Sequence, residues 1–172
     1  MQAMQLLQHL PAEELPLRLV DLPKPEPGSG QVRVRVQMCG VCHTDLHIVE
    51  GDIHPPDSSI IPGHQVVGLV DALGEGVTHL DLGLRVGIPW FHSACGDCFY
   101  CHVGMENLCP DAQFTGFHVQ GGFAEYMLAE AKFVLPIPDE ISNQQAAPLL
   151  CAGIIGYRSL RKADLKPGER LG

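Results

Sequence analysis

Apolar and polar residues alternate most cleanly at Val32, Val34, Val36 and Met38, interleaved with Arg33, Arg35 and Gln37. A period of two predicts a strand with one buried and one solvated face, delivering Cys39 to Cys42 at its end. Residues 4–8 and 15–20 read as shorter strands separated by Pro11 and an acidic pair, and 21–30, with three prolines and two glycines, as a connecting loop. Residues 43–50 suit a short helix stopped by Gly51, which places His43 and His47 one turn apart on the same side. Strands are predicted at 66–73 and 84–88, on either side of a Gly74-Glu75-Gly76 turn, and again at 123–128 and 133–135 before Pro136 and Pro138 close the sheet region. Ser142 and Gln145 form a capping box, so a helix should start there and run past Cys151 to about residue 160, with a turn at 166–169.

This succession of short strands predicts a mostly β, α+β fold with short helices. The 19 glycines and 14 prolines strengthen it, being about a fifth of the 172 residues against roughly 12% in an average protein. With 45% hydrophobic residues the chain supports one compact domain over 1–172. A net charge of -9 argues against a nucleic-acid footprint or an anionic-membrane patch. Residues 1–10 lack both the basic start and the apolar run of a signal peptide, and no stretch is apolar for the length of a membrane span, so a cytoplasmic location is the default expectation. Seven cysteines in such a setting point to metal thiolates before disulfides.

Two groups of residues carry that chemistry. Cys39 to His47 packs thiols, two imidazoles, a hydroxyl and a carboxylate into one stretch, and His64 and Cys151 are available downstream to complete a Cys, His, Cys set with an open fourth position, the pattern of a catalytic zinc. Cys95, Cys98, Cys101 and Cys109 form a separate lobe over 95–109, with Gly96 and Gly104 allowing tight turns, and four thiolates close the shell of a structural zinc. Paired disulfides and a four-cysteine iron-sulfur cluster are the alternatives for the lobe. Cys39 is read as core, and the histidines at 9, 54, 79, 92, 102 and 118 as surface residues.

The segments 39–47, 62–68, 95–109 and 146–157 together resemble the N-terminal catalytic domain of the zinc-dependent medium-chain alcohol dehydrogenases, a GroES-like β-barrel, and the likeness runs over nearly the whole chain. The resemblance implies Cys42, His64 and Cys151 as ligands of a catalytic zinc, Asp45 as the carboxylate that orients His64, and the four lobe cysteines on a second zinc. It implies Thr44 and His47 as a hydroxyl-imidazole proton relay, His43 beside the cofactor pyrophosphate, and Trp90 in the substrate pocket, where Ile53 suggests more room than a bulkier aromatic would leave. The implied reaction is oxidation of an alcohol to an aldehyde or ketone by hydride transfer to NAD or NADP, in an enzyme that is a homo-oligomer at full length.

Two positions depart from that pattern: Gln65 follows His64 where the family has Glu, and Leu84 stands where Asp is common before Arg85. Neither Gly28-Ser29-Gly30 nor Gly74-Glu75-Gly76 has the third glycine of a dinucleotide fingerprint, so the Rossmann cofactor domain is expected to lie outside this sequence, with linkage to it near 160–172. The isolated chain is then expected to be inactive. The alternative is a zinc-stabilised GroES-like binding module without catalysis, against which the Thr44 and His47 pair is the discriminating feature.

Overall fold

A computed structural model of the chain describes residues 1–170. In chain order its elements are β1 (Gln2–Leu6), β2 (Leu17–Asp21), β3 (Gln31–Gly40), α1 (His43–Glu50), β4 (Gln65–Leu73), β5 (Arg85–Ile88), β6 (Phe91–Ser93), α2 (Phe99–His102), β7 (Gln113–Phe114), β8 (Tyr126–Glu130), β9 (Leu135–Pro136), α3 (Asn143–Pro148) and α4 (Ile154–Ala163). The central sheet is antiparallel with strand order β8-β3-β4-β5-β9, flanked by the β1-β2 and β6-β7 pairs. The fold is mostly β with short helices.

The main core lies on one face of that sheet. Val32 and Val34 of β3 pack there with Val66 and Val70 of β4, Val86 and Ile88 of β5 and Met127 of β8. Burying each such side chain contributes about 1.5–3 kcal/mol relative to leaving it in water. Because successive strand residues point to opposite faces, Val67 leaves this core and meets Ala146, Ala147 and Leu150 from the C-terminal helical segment. Both faces of β4 are therefore covered, which is why its sequence is a near-continuous apolar run instead of an alternation.

Several expectations need correction. The alternation in β3 does not hold to its end: the register against β4 shifts between Val36 and Met38, and the extra residue turns Met38 onto the Val67 side while Cys39 returns to the main core. The predicted strand at 123–128 is regular only from Tyr126, because the preceding backbone is spent elsewhere: Gly122 N donates to Gly63 O at 2.8 Å and Phe123 N to Pro62 O at 3.0 Å. The strand expected at 133–135 is regular only from Leu135, in β9, because a 3₁₀ turn over Ala131–Phe133 takes its first residue. His92, expected at the surface, is 6% exposed.

The C-terminal helix starts on the Ser142 capping box but is not uniform. Pro148 lacks the N–H that would extend the α-helical ladder, and the chain widens into a π turn over Leu149–Gly153 before α4 resumes.

Candidate metal centre

Three distant segments meet at the first cluster. Cys42 is the N-cap of α1, held in extended geometry at the end of β3. His64 is brought in by the Pro62-Gly63 turn ahead of β4, and Cys151 sits in the π turn. The turn requires glycine: Gly63 has φ 95°, and a Cβ there would stand 2.6 Å from Phe123 and 2.9 Å from Cys39 Sγ. The donor atoms of Cys42, His64 and Cys151 all lie within 4.8 Å of one another, with the two sulfurs 3.8 Å apart.

Asp45, 2% exposed, ties these segments together. Its Oδ2 accepts from Cys42 N at 2.8 Å, and its Oδ1 accepts from Gly63 N and from His64 Nδ1, both at 3.0 Å. A proton on Nδ1 leaves the Nε2 lone pair free, and that atom is buried with no hydrogen-bond partner. Charge balance points the same way. Burial acts to raise the Cys42 thiol, but the Thr44 backbone N–H, the adjacent His64 ring, the Thr44 hydroxyl and Cys151 bring it below its ordinary value. Cys151 is pushed up to about 11, by burial first and by the adjacent Cys42 charge. Burial acts to lower His64, yet Asp45 and Cys42 carry it above its ordinary value. The Cys42 sulfur and the Asp45 carboxylate thus favour positive charge at His64, and the soft S, N, S donor set suits a zinc ion beside Nε2.

The second cluster is built from one loop. Cys95, Cys98, Cys101 and Cys109 have sulfur separations of 3.9 Å (Cys95 to Cys101), 3.6 Å (Cys98 to Cys101) and 3.5 Å (Cys95 to Cys109). Four sulfurs at about 2.3 Å from one tetrahedral ion stand about 3.8 Å apart, so these residues fit a single zinc. Such gaps are far longer than a disulfide bond, and all seven cysteines are free. The Asp97 and Cys98 N–H groups point at Cys95 Sγ at 3.5 and 3.3 Å and lower its thiol to about 7. α2 and a 3₁₀ turn at Glu106–Leu108, which the thiol spacing did not reveal, shape this loop.

Around the first cluster, Thr44 Oγ1 lies 3.9 Å from Cys42 Sγ. His47 is one helical turn on, its side chain 42% exposed and its Nδ1 2.6 Å from Asp52 Oδ2. Asp52 was missed from sequence, although it stands just past the Gly51 helix stop and within reach of His47. His43 is exposed, its ring edge-on to His47 with centroids 4.5 Å apart. Trp90 stands edge-on to His64 at 4.9 Å and stacks on Phe114 at the same distance. Ile53 lies in the loop after α1 and is 37% exposed, its N–H on the His47 carbonyl at 3.3 Å. Gln65 is buried beside His64 and packs against Gly40.

An antiparallel β domain carrying one open Cys-His-Cys cluster and one closed four-cysteine loop defines a class of thiolate-rich domains suited to zinc. Residues 28–139 match the alcohol dehydrogenase GroES-like domain, and the chain belongs to that family. It is 50% identical over 155 residues to an alcohol dehydrogenase of Geobacillus stearothermophilus and 49% identical over 154 residues to one of Moraxella sp., covering 90% and 89% of this chain and 46% of each relative. The chain thus spans about half the length of the curated relatives it matches. Among solved structures it is similar to an NAD-dependent alcohol dehydrogenase (TM-score 0.91, 32% identity, 98% of this chain and 49% of the other). It is also similar to a cobalt- and zinc-bound thermostable alcohol dehydrogenase from Pyrobaculum aerophilum (TM-score 0.90, 29% identity, 98% and 50%).

Proposed function

We propose that this chain is the zinc-binding catalytic half of an alcohol dehydrogenase that oxidises alcohols to aldehydes or ketones with NAD or NADP. The observation that carries the reading is the buried, unpartnered His64 Nε2 facing a site shared with Cys42 and Cys151, with Nδ1 fixed by Asp45. Cys42, His64 and Cys151 would hold the catalytic zinc, which when bound supplies Lewis acidity that favours loss of the substrate hydroxyl proton. The four cysteines of the 95–109 lobe would hold a second zinc with no open position.

The chain's own residues account for the rest. Asp45 keeps His64 in one tautomer and anchors the Cys42 and Gly63 backbones, so the donor set is preorganised. Thr44, next to Cys42, receives the proton from the substrate hydroxyl, and His47, partly exposed and backed by Asp52, passes it to solvent. His43 at the mouth of α1 meets the cofactor phosphates, and Trp90 walls the substrate side of His64. A binding module without catalysis needs neither an open donor position nor a hydroxyl and imidazole beside it.

Hydride transfer needs the nicotinamide held against the substrate, and proximity supplies much of the rate. Residues 1–172 alone should therefore show no alcohol-dependent reduction of NAD or NADP. Fusion to the remaining half of the Geobacillus stearothermophilus relative should restore it, and Cys151→Ser should abolish it. Robust turnover by residues 1–172 alone, or a folded fusion that binds cofactor yet is inert towards alcohols, would overturn the proposal.

A further inference from the structure

α1 carries a histidine pair that neither cysteine cluster uses as a ligand. His43 and His47 are four residues apart on one helix face, with ring centroids 4.5 Å apart. Helical side chains lean towards the N-terminus, so the His47 ring lies over the turn that begins with His43. The H-E-x-x-H motif holds zinc through two histidines at this same spacing. Two imidazoles on one ion at about 2.0–2.1 Å have ring centres about 4.5–5 Å apart, so the pair stands at chelating distance.

His47 is also braced as a metal ligand is. Its Nδ1 lies 2.6 Å from Asp52 Oδ2, and a carboxylate only accepts, so Nδ1 carries the proton and the neutral ring keeps its lone pair on Nε2. The contact of Asp45 with His64 has the same form. The brace is built into the helix stop: the Gly51, Asp52 and Ile53 N–H groups all point at the His47 carbonyl, which folds the Asp52 carboxylate back over the last turn. Both rings reach water, since His43 is exposed and the His47 side chain is 42% exposed. The segment from His43 to Asp57 exposes Glu50, Asp52 and Asp57 and contains no Lys or Arg, a balance that favours a cation.

We propose that His43 and His47 form a third metal site, which takes a divalent ion of the zinc class through two imidazoles and completes its shell with water. Imidazole suits Zn²⁺ and Ni²⁺, whereas Mg²⁺ and Ca²⁺ prefer oxygen donors. The site itself needs nothing from the reaction. Its consequence rests on the function proposed above: a bound ion engages the two rings given to the proton relay and the cofactor phosphates, so zinc in excess of the two cysteine sites inhibits.

The test is zinc titrated into the chain already loaded at both cysteine clusters, with its histidine rings isotopically labelled for NMR. The His43 and His47 resonances should move together and saturate at micromolar free zinc, and magnesium should move neither. His43→Gln or His47→Gln should abolish the response of the ring that remains. Asp52→Ala, which leaves both donors in place, should weaken binding by about tenfold. The joint movement should persist in Cys151→Ala, where the triad is broken. No joint movement up to millimolar zinc, or movement confined to His9 and His54, the other close ring pair at 5.0 Å, would overturn the site. In an active fusion with the remaining half of the Geobacillus stearothermophilus relative, zinc should inhibit over the same range. Ring movement without inhibition there would overturn the inhibitory role, whereas a fusion inert towards alcohols fails the proposed function and leaves the ring response to decide the site.

Discussion

The two cysteine clusters reach similar geometry by opposite routes. The four-cysteine lobe gathers its sulfurs from a single loop with little core beneath it, and Phe99 at its start is 71% exposed. Cys42, His64 and Cys151 come from three segments far apart in sequence, around an imidazole that is 0% exposed. In the lobe an ion would supply the order that a core does not. In the triad the core, the Gly63 turn and Asp45 already hold the donors. A local cluster depends on its ion for structure, whereas a non-local one depends on the fold and lends it to the ion.

The largest effect that separates them is loss of metal. Cys95→Ser should remove one of two zinc ions and disorder 95–109, seen as rapid amide exchange and proteolysis there, while Cys151→Ser should remove the other and leave the lobe protected. Elemental analysis showing one zinc in the unmodified chain and no change in Cys151→Ser would break the contrast. Asp45→Asn should weaken metal at the triad by about 10–100-fold in competition with a chelator, because His64 loses its fixing partner, with no change at the lobe. Gly63→Ala should cost about 1–3 kcal/mol of stability by denaturant titration, the cost of a side chain at positive φ, and more if Phe123 and Cys39 cannot yield. Its damage should also stay on the triad side.

The smallest effect lies remote from both clusters. Asp71 is held below its usual range first by its hydrogen bond to Lys24, opposed by burial, with the hydrogen bond and charge of Arg33 adding to the lowering. A carboxylate lowered in the folded state adds stability that is present above its unfolded pKa of about 3.9 and is lost as pH falls through the folded value. The pairs are partly exposed, so the contribution is at most about 1 kcal/mol and is screened by salt. Asp71→Asn should flatten the stability profile below about pH 4 and leave zinc content untouched.

What could be read in the sequence follows the same division. The lobe was legible because four thiols at short spacing need no knowledge of distant contacts, and α1 because Gly51, with φ 85°, stops it where the pattern ends. The fold class followed from the turn residues and strand alternation. The shift that turns Met38 away was not legible, since a bulge is decided by the pairing of β3 with β4 and both strands look regular alone. His92 was missed for a related reason. It lies on β6, which packs against β8 and the 131–133 turn, contacts that its own neighbours in sequence do not announce.

The π turn that carries Cys151 has a mechanical consequence. A wide turn is the point at which a helical rod winds or unwinds most readily, and here it joins α3, seated on the sheet through Ala146 and Ala147, to α4, which has no buried residue. Cys151 therefore stands at the joint between an arm seated on the sheet and an arm with no buried residue, whereas Cys42 and His64 are both braced by Asp45.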